Sequence, residues 1–299
     1  MLSVRDVRVQ IGTAEVLRGI DLFMGAGETV GLVGESGSGK SMLALAVVGL
    51  LPPTARATGS VRLDDRELLG APDTVLCNVR GRDIGFVFQE PATALDPRRN
   101  IGAQVAEAAL THRVPRAAHR AEALLARVGL AGMQARYPHE LSGGQRQRAM
   151  IASALVCGPS LLLADEPTTA LDSITQARVL DLLAELAAER ATALLLISHD
   201  FRVVARATKN AAVMYAGRIV ETGETARLLT APQHPYTAGL LAASAAGREP
   251  PVPIPGRMPS PRDIPPGCAY AARCLRADGL CRNDPALVDG VACHHPLSC

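Results

Sequence analysis

Gly34, Glu35, Ser36, Gly37, Ser38, Gly39, Lys40 and Ser41 spell the pattern Gly-x4-Gly-Lys-Ser, a loop built to cradle polyphosphate. The glycines permit positive φ and close backbone approach, so successive N–H groups can point at one phosphate. A helix starting at Lys40 adds its partial positive charge at the same place. Lys40 suits the β- and γ-oxygens of a bound triphosphate, and the Ser41 hydroxyl suits Mg²⁺. Of 31 basic side chains only Lys40 and Lys209 are lysines. A lysine at position 40, against that bias, fits a loop with room for a compact ammonium and not for a guanidinium fork. A plain glycine-rich turn is the bland alternative, and the flanking strand and helix argue against it.

The run Leu161-Leu-Leu-Ala-Asp165 reads as a buried strand ending in a carboxylate, the Walker B pattern, with Glu166 next to it. Asp165 is expected to hold Mg²⁺ through water and Glu166 to polarise an attacking water. Gln89, at another strand end, offers an amide oxygen to Mg²⁺ and to that water. His199, in Ile197-Ser-His-Asp200, offers an imidazole between γ-phosphate and Glu166. A lone Gln or His is more often an ordinary satisfied polar residue; order along the chain and placement at strand ends favour the functional reading. Leu141-Ser142-Gly143-Gly144-Gln145 precedes a helical pattern, where Ser142 suits an N-cap. A cap alone needs neither the glycine pair nor the glutamine, whereas small residues at a helix start suit close approach to a phosphate.

These residues need strands and helices in alternation. Residues 4–9, 17–23, 29–33, 84–88, 161–164 and 193–197 read as strands. Residues 40–50, 104–110, 116–128, 146–156 and 175–190 read as helices. Residues 211–215 and 218–221 flank Ala216-Gly217, a hairpin signal. The alternation predicts an α/β fold with a largely parallel sheet covered on both faces. A helical lobe is expected over about 91–157. Prolines at 250, 251, 253, 255, 259, 261, 265 and 266 predict an extended connector to a small Cys-rich unit. There is no internal repeat.

The chain has 299 residues, 48% of them apolar, enough for a large core. A net charge of +2 gives no electrostatic case for nucleic acid as a partner. No apolar run approaches the roughly 20 residues that cross a bilayer, and the N-terminal residues lack the apolar stretch of a signal peptide. A cytosolic location is expected, with membrane contact only through a partner. Cys77 and Cys157 stand apart, while Cys268, Cys274, Cys281, Cys293 and Cys299 crowd the C-terminal stretch. In a cytosolic chain such crowding points to metal before disulfides. Four thiolates at Cys268, Cys274, Cys281 and Cys293 suit a [4Fe–4S] cluster or tetrahedral zinc, and unmetallated thiols remain open. No tight Cys-x2-Cys pair supports a zinc ribbon. Cys299 reads as a spare, and His294 and His295 read as solvated more readily than as substitute ligands.

Taken together, residues 1 to about 232 resemble an ATP-binding-cassette (ABC) ATPase, a P-loop NTPase with an inserted helical subdomain. Ala170-Leu171-Asp172 is similar to that family's D-loop. The resemblance implies that two cassettes close head to tail on ATP and Mg²⁺, with Ser142, Gly143, Gly144 and Gln145 of one binding the γ-phosphate held by the other. One departure is Ile11, where the family usually has an aromatic to stack on adenine; Ile11 can pack against the purine but offers no π-face. Beyond the cassette, residues 233–299 resemble the extension of oligopeptide and dipeptide importer ATPases. The segments that carry this likeness are His234-Pro-Tyr-Thr-Ala-Gly-Leu-Leu241, Pro266-Gly-Cys-Ala-Tyr-Ala-Ala-Arg-Cys274, Asp284-Pro-Ala-Leu and Val291-Ala-Cys-His294. That likeness implies a peripheral subunit at the cytoplasmic membrane face. Its implied partners are a second ABC ATPase subunit, two permeases and an extracytoplasmic solute-binding protein, and it favours the [4Fe–4S] reading of the four cysteines. Import of nickel or another small solute is the nearest alternative. A soluble cassette acting on nucleic acid or ribosomes fits less well, because the helical insert is short. A metal sensor using ATP secondarily sits poorly with a full set of Lys40, Asp165, Glu166 and His199.

Overall fold

The structure, a computed structural model, describes residues 1–169, 171–244 and 252–298. Ala170, Pro250, Pro251 and Cys299, singled out above, lie outside them. In chain order the elements are β1 (Leu2–Ile11), β2 (Ala14–Met24), β3 (Thr29–Val33), α1 (Lys40–Val47), β4 (Ala55–Leu63), β5 (Arg66–Glu67), α2 (Asp73–Val79) and β6 (Ile84–Val87). There follow α3 (Pro91–Ala94), α4 (Ile101–Thr111), α5 (Ala117–Arg127), α6 (Gly143–Leu155), β7 (Leu161–Asp165), α7 (Ser173–Glu189) and β8 (Ala193–Ser198). The remainder comprises α8 (Phe201–Ala207), β9 (Asn210–Tyr215), β10 (Arg218–Glu224), α9 (Thr225–Thr230), α10 (Pro235–Ala243) and short 3₁₀ turns. The chain divides into two compact units, one of Met1, Gly25–Thr29 and Ala71–Leu196, the other of Leu2–Met24, Val30–Gly70 and Ile197–Cys299.

In the first unit β6 pairs in parallel with β7, Ile84 opposite Leu161 and Val87 opposite Ala164, and β8 lies beside β7. All five residues of β7 and all six of β8 are buried, as continuous apolar runs in parallel strands require. α6 lies close over β6 at Gly85, where an added Cβ would strike the Ala154 carbonyl. Two of its helix starts carry side-chain caps at Asn100 and Asp172. Asn100 accepts from Ala103 N–H at 2.8 Å, and Asp172 accepts from the N–H groups of Ile174 (3.1 Å) and Thr175 (3.0 Å). Those two N–H groups hold the Asp172 carboxyl below the usual carboxylate range, Thr175 contributing most.

In the second unit β1, β2, β4 and β5 form an antiparallel sheet in the order β2-β1-β4-β5. This second, antiparallel sheet stands beside the largely parallel one that the strand–helix alternation implied. Gly12, at φ +60°, turns β1 straight back into β2, so Ile11 pairs with Ala14. Only β3 runs parallel to β9, Val30 opposite Asn210. The hairpin signal holds: Ala216 and Gly217, both at positive φ, join Tyr215 of β9 to its antiparallel partner Arg218 of β10. Helix α1 stops at Val47 rather than continuing to residue 50, because Gly49 takes a left-handed φ of +64°. Among the described residues after Ala243 there is no helix longer than a 3₁₀ turn and no named strand, as the proline pattern implied. Among the described residues no helix is long and apolar enough to cross a membrane.

Candidate functional site: a phosphate loop held from behind

The second unit carries the phosphate loop. Strand β3 ends at Val33, the chain passes through Gly34–Gly39, and α1 begins at Lys40. Gly37 and Gly39 take φ of +83° and +105°, which a side-chain-bearing residue there would resist. A Cβ at Gly34 would collide with the Met214 carbonyl. Lys40, 5% exposed, turns back into the loop and donates to the carbonyls of Gly34 (2.7 Å) and Glu35 (2.9 Å). The Ser38 hydroxyl is fully buried with no protein partner. A buried hydroxyl and an ammonium inside a positive-φ loop at a helix start fit an anionic oxygen ligand. Ser36, Gly37 and Ser41 face solvent, as a ligand-receiving rim requires. His199 also belongs to this unit, exposed just before the Asp200 cap of α8. Ile11 closes β1 half-buried.

The first unit carries the acidic set. Asp165 ends β7, 7% exposed, and Glu166 follows with φ +45°, an uncommon left-handed turn for a glutamate. That turn directs its carboxylate to two partners: Thr169 Oγ1 donates at 2.9 Å and Gln89 Nε2 at 3.5 Å, both to Oε2. The structure therefore joins Gln89 to Glu166, as residues meeting at strand ends should. Thr169 was missed by sequence reasoning; its place three residues after Glu166 was the available signal.

Leu141–Gln145 starts α6 inside the motif, three residues earlier than the periodicity suggested. Ser142 Oγ accepts from Gln145 N–H at 3.3 Å, and Gln145 Oε1 accepts from Ser142 N–H at 2.8 Å, a closed capping box. The cap reading is thus true, yet Gly143 and Gly144 still open onto a cavity of about 340 Å³ lined also by Arg148, Asp172 and Arg178. A Cβ on Gly144 would sit 2.7 Å from Thr175 Cγ2, so the second glycine lets α6 approach α7.

The loop is also held from the C-terminal region. Tyr236 Oη accepts from Glu35 N–H at 2.8 Å. Arg273, 8% exposed, grips the Glu35 carboxylate through Nη1 and Nη2, each at 3.0 Å. Its Nε donates to Pro255 O at 2.8 Å and its Nη1 to Tyr215 Oη at 3.3 Å. Burial opposes the guanidinium's charge, and the bonds to Glu35 and Tyr215 outweigh it, so its pKa rises. Sequence reasoning quoted Tyr236 and Arg273 without assigning them a role.

Of the four cysteines, Cys281 lies in a group of ligand atoms within 4.8 Å of one another, its companions being Asp278 and His295 and not the other thiols. Burial pushes the Cys268 thiol up, and the Cys281, Cys293 and Cys274 thiols add to the effect. Burial likewise raises Cys293. Backbone N–H groups of Arg276 and His295 point at the sulfurs of Cys274 and Cys293, each at 3.4 Å. N–H donors aimed at sulfur suit a thiolate that serves as a metal ligand. His295 is not solvated as expected: its Nε2 lies 2.8 Å from Asp278 Oδ1, and with Cys281 the two bring ligand atoms within 4.8 Å of one another.

Comparison with known proteins agrees with this arrangement. Residues 17–169 match the ABC transporter family model, and residues 220–281 match the oligopeptide/dipeptide transporter C-terminal region. The chain belongs to the ABC transporter ATP-binding family. Within it, the oligopeptide transport ATP-binding protein AppD of Bacillus subtilis is 43% identical over 90% of this chain and 86% of its own length. OppD of Mycobacterium tuberculosis, an oligopeptide transport ATP-binding protein, is 45% identical over 100% of this chain, which spans 51% of that relative's length. The dimeric ATP-binding cassette MJ0796, solved with ADP and Pi, superposes with a TM-score of 0.68 at 29% identity, covering 75% of this chain and 99% of that one.

Proposed function

We propose that this chain is the ATP-binding subunit of an importer of di- and oligopeptides, hydrolysing ATP to drive partner permeases. The observation that carries the reading is one polypeptide joining the loop with Lys40 buried in it to the region matched as an oligopeptide/dipeptide transporter extension. It is organised as a cassette over 1–232, with a helical subdomain over about 91–157, and a Cys-rich extension over 233–299. Its partners are a second ABC ATPase subunit, two transmembrane permeases and an extracytoplasmic solute-binding protein, at the cytoplasmic face of the membrane.

Backbone N–H groups of residues 34–41 and the Lys40 ammonium bind the β- and γ-phosphates; Ile11 packs on the purine. Ser41, Gln89 and Asp165 offer oxygens to Mg²⁺, which supplies charge neutralisation on the phosphates when bound. Glu166 accepts the proton of the attacking water as the O–Pγ bond forms and the bond to the β-phosphate oxygen breaks. His199 steadies the γ-phosphate. Ser142, Gly143, Gly144 and Gln145 bind the γ-phosphate held by the paired cassette. The two bonds fixing the Glu166 carboxylate support the assignment of the base, since an oriented base is what proton abstraction needs. Cys268, Cys274, Cys281 and Cys293 would hold a [4Fe–4S] cluster of structural or regulatory role, a reading supported by the N–H groups aimed at the sulfurs of Cys274 and Cys293.

The test uses co-expressed candidate permeases and binding protein. Purified complex should hydrolyse ATP faster when di- or oligopeptides are added, and Glu166→Gln should lower turnover by about 10²-fold or more while Mg-ATP still binds. Turnover within threefold of wild type in the variant would remove Glu166 as the base. Absence of any peptide stimulation in an assembled complex would remove the peptide assignment.

A further inference from the structure

Three of the four tyrosines in this chain meet at one place. The rings of Tyr215, Tyr236 and Tyr270 lie 4.5, 5.2 and 5.4 Å apart by centroid, all buried, in a chain with only 3% aromatic residues and no tryptophan. Between them sits Arg273, its guanidinium 5.8 Å from the ring centres of both Tyr215 and Tyr270. A core does not need a cation there. The group this arginine serves is Glu35, the second residue of the phosphate loop, held by two parallel N–H···O bonds of 3.0 Å. The loop is gripped again at the Glu35 N–H by Tyr236. The Glu35 carbonyl in turn receives the Lys40 ammonium at 2.9 Å. The connector reaches the same loop and its neighbour: Met258 Cε lies 3.3 Å from where a Cβ on Gly37 would stand, and Pro261 O accepts from Glu15 N–H at 3.0 Å.

A glutamate inside a polyphosphate-binding loop is an electrostatic problem, because its charge repels the ligand. Here the carboxylate is paired with a cation borrowed from the far end of the chain. We propose that Arg273 is a positioning residue for ATP: it holds Glu35 clear of the phosphates, so nucleotide affinity depends on the C-terminal extension being docked. The inference rests on the nucleotide reading of the loop given above. Arg273 is joined by one peptide bond to Cys274, so the seating of that cysteine and the electrostatics of the phosphate loop are mechanically linked.

The experiment measures the equilibrium dissociation constant of a fluorescent Mg-ATP analogue for the full chain in a Glu166→Gln background, which stops turnover. Arg273→Met should weaken binding about tenfold, a coupling of the size usual between linked sites. Glu35→Gln added to Arg273→Met should restore affinity to within about threefold of the parent, because the unneutralised charge is gone. Arg273→Lys, which keeps charge but loses the fork, should fall between. A merely structural arginine would lower thermal stability in both Met variants, and removing the Glu35 charge would not recover affinity. Binding by Arg273→Met within twofold of the parent, or a loss that Glu35→Gln fails to relieve, overturns the proposal. If Arg273→Met does not fold, Arg273→Lys decides: weakening of threefold or more supports the role and unchanged affinity refutes it. A parent that binds no Mg-ATP overturns the assignment of the loop itself, a result distinct from failure of Arg273 alone.

Discussion

Acidification should loosen the anchorage of the C-terminal region through His234. This side chain is 1% exposed and begins α10, its Nδ1 accepting from Tyr236 N–H at 3.0 Å while the ring also bonds the Ala292 backbone. Burial pushes its pKa down to about 4 from 6.5 and outweighs the opposing bond with Ala292. Between those values the unfolded chain carries a proton that the folded chain refuses, so acid favours opening and stability rises with pH. At roughly 1.4 kcal/mol for each pH step crossed in that window, the loss on going from pH 7.5 to 5 comes to about 2 kcal/mol, and it levels off near 3 kcal/mol below pH 4. The assay is hydrogen exchange of the α10 amides at both pH values, corrected for intrinsic rate. Because the Glu221 carboxylate accepts from the N–H groups of Gln233 (2.8 Å) and His234 (2.9 Å), a reference variant is needed. His234→Gln can keep both ring bonds with its amide and should flatten the slope. A slope equally steep in that variant, or a wild-type change below about 0.5 kcal/mol, would refute the reasoning.

Gly144→Ala should destabilise the first unit by about 1–3 kcal/mol, since the new methyl meets Thr175 Cγ2 at 2.7 Å; a denaturant midpoint equal to wild type would contradict this. Cys274→Ser should lower the iron and sulfide content of anaerobically purified protein well below wild type, and an unchanged content would dismiss the cluster.

Much of this molecule could be read directly. The loop 34–41, the strand ending at Asp165 and the Ala216-Gly217 hairpin are local patterns whose residues carry their own geometry. Ser142 announced a cap, whereas the part Gln145 plays in closing a capping box became legible only in the structure. What stayed hidden depends on distance along the chain. Nothing near Glu35 indicates that its partner lies 238 residues later, and Arg273 is one of many arginines. Strand β4 escaped notice because its burial pattern is mixed, exposed and half-buried residues alternating until Val61. The separate antiparallel sheet of the N-terminal strands was not legible, because periodicity reports a strand and not its neighbour. His295 was misjudged for the same reason: Asp278, its partner, is distant in sequence and becomes adjacent only when the chain folds back beside Cys281.

The last stretch of described chain also lies along β10. Thr222 N–H donates to Gly290 O at 2.7 Å, Ala292 N–H donates to Val220 O at 2.8 Å, and Glu221 forms a bridge with Val291. A rim of unsatisfied amides and carbonyls on that strand would be a template for stray polypeptide, and the tail denies it that role. Shortening the protein before Val288 would therefore do more than discard Cys293 and its surroundings: it would leave an adhesive seam, and the truncated product would tend to clump.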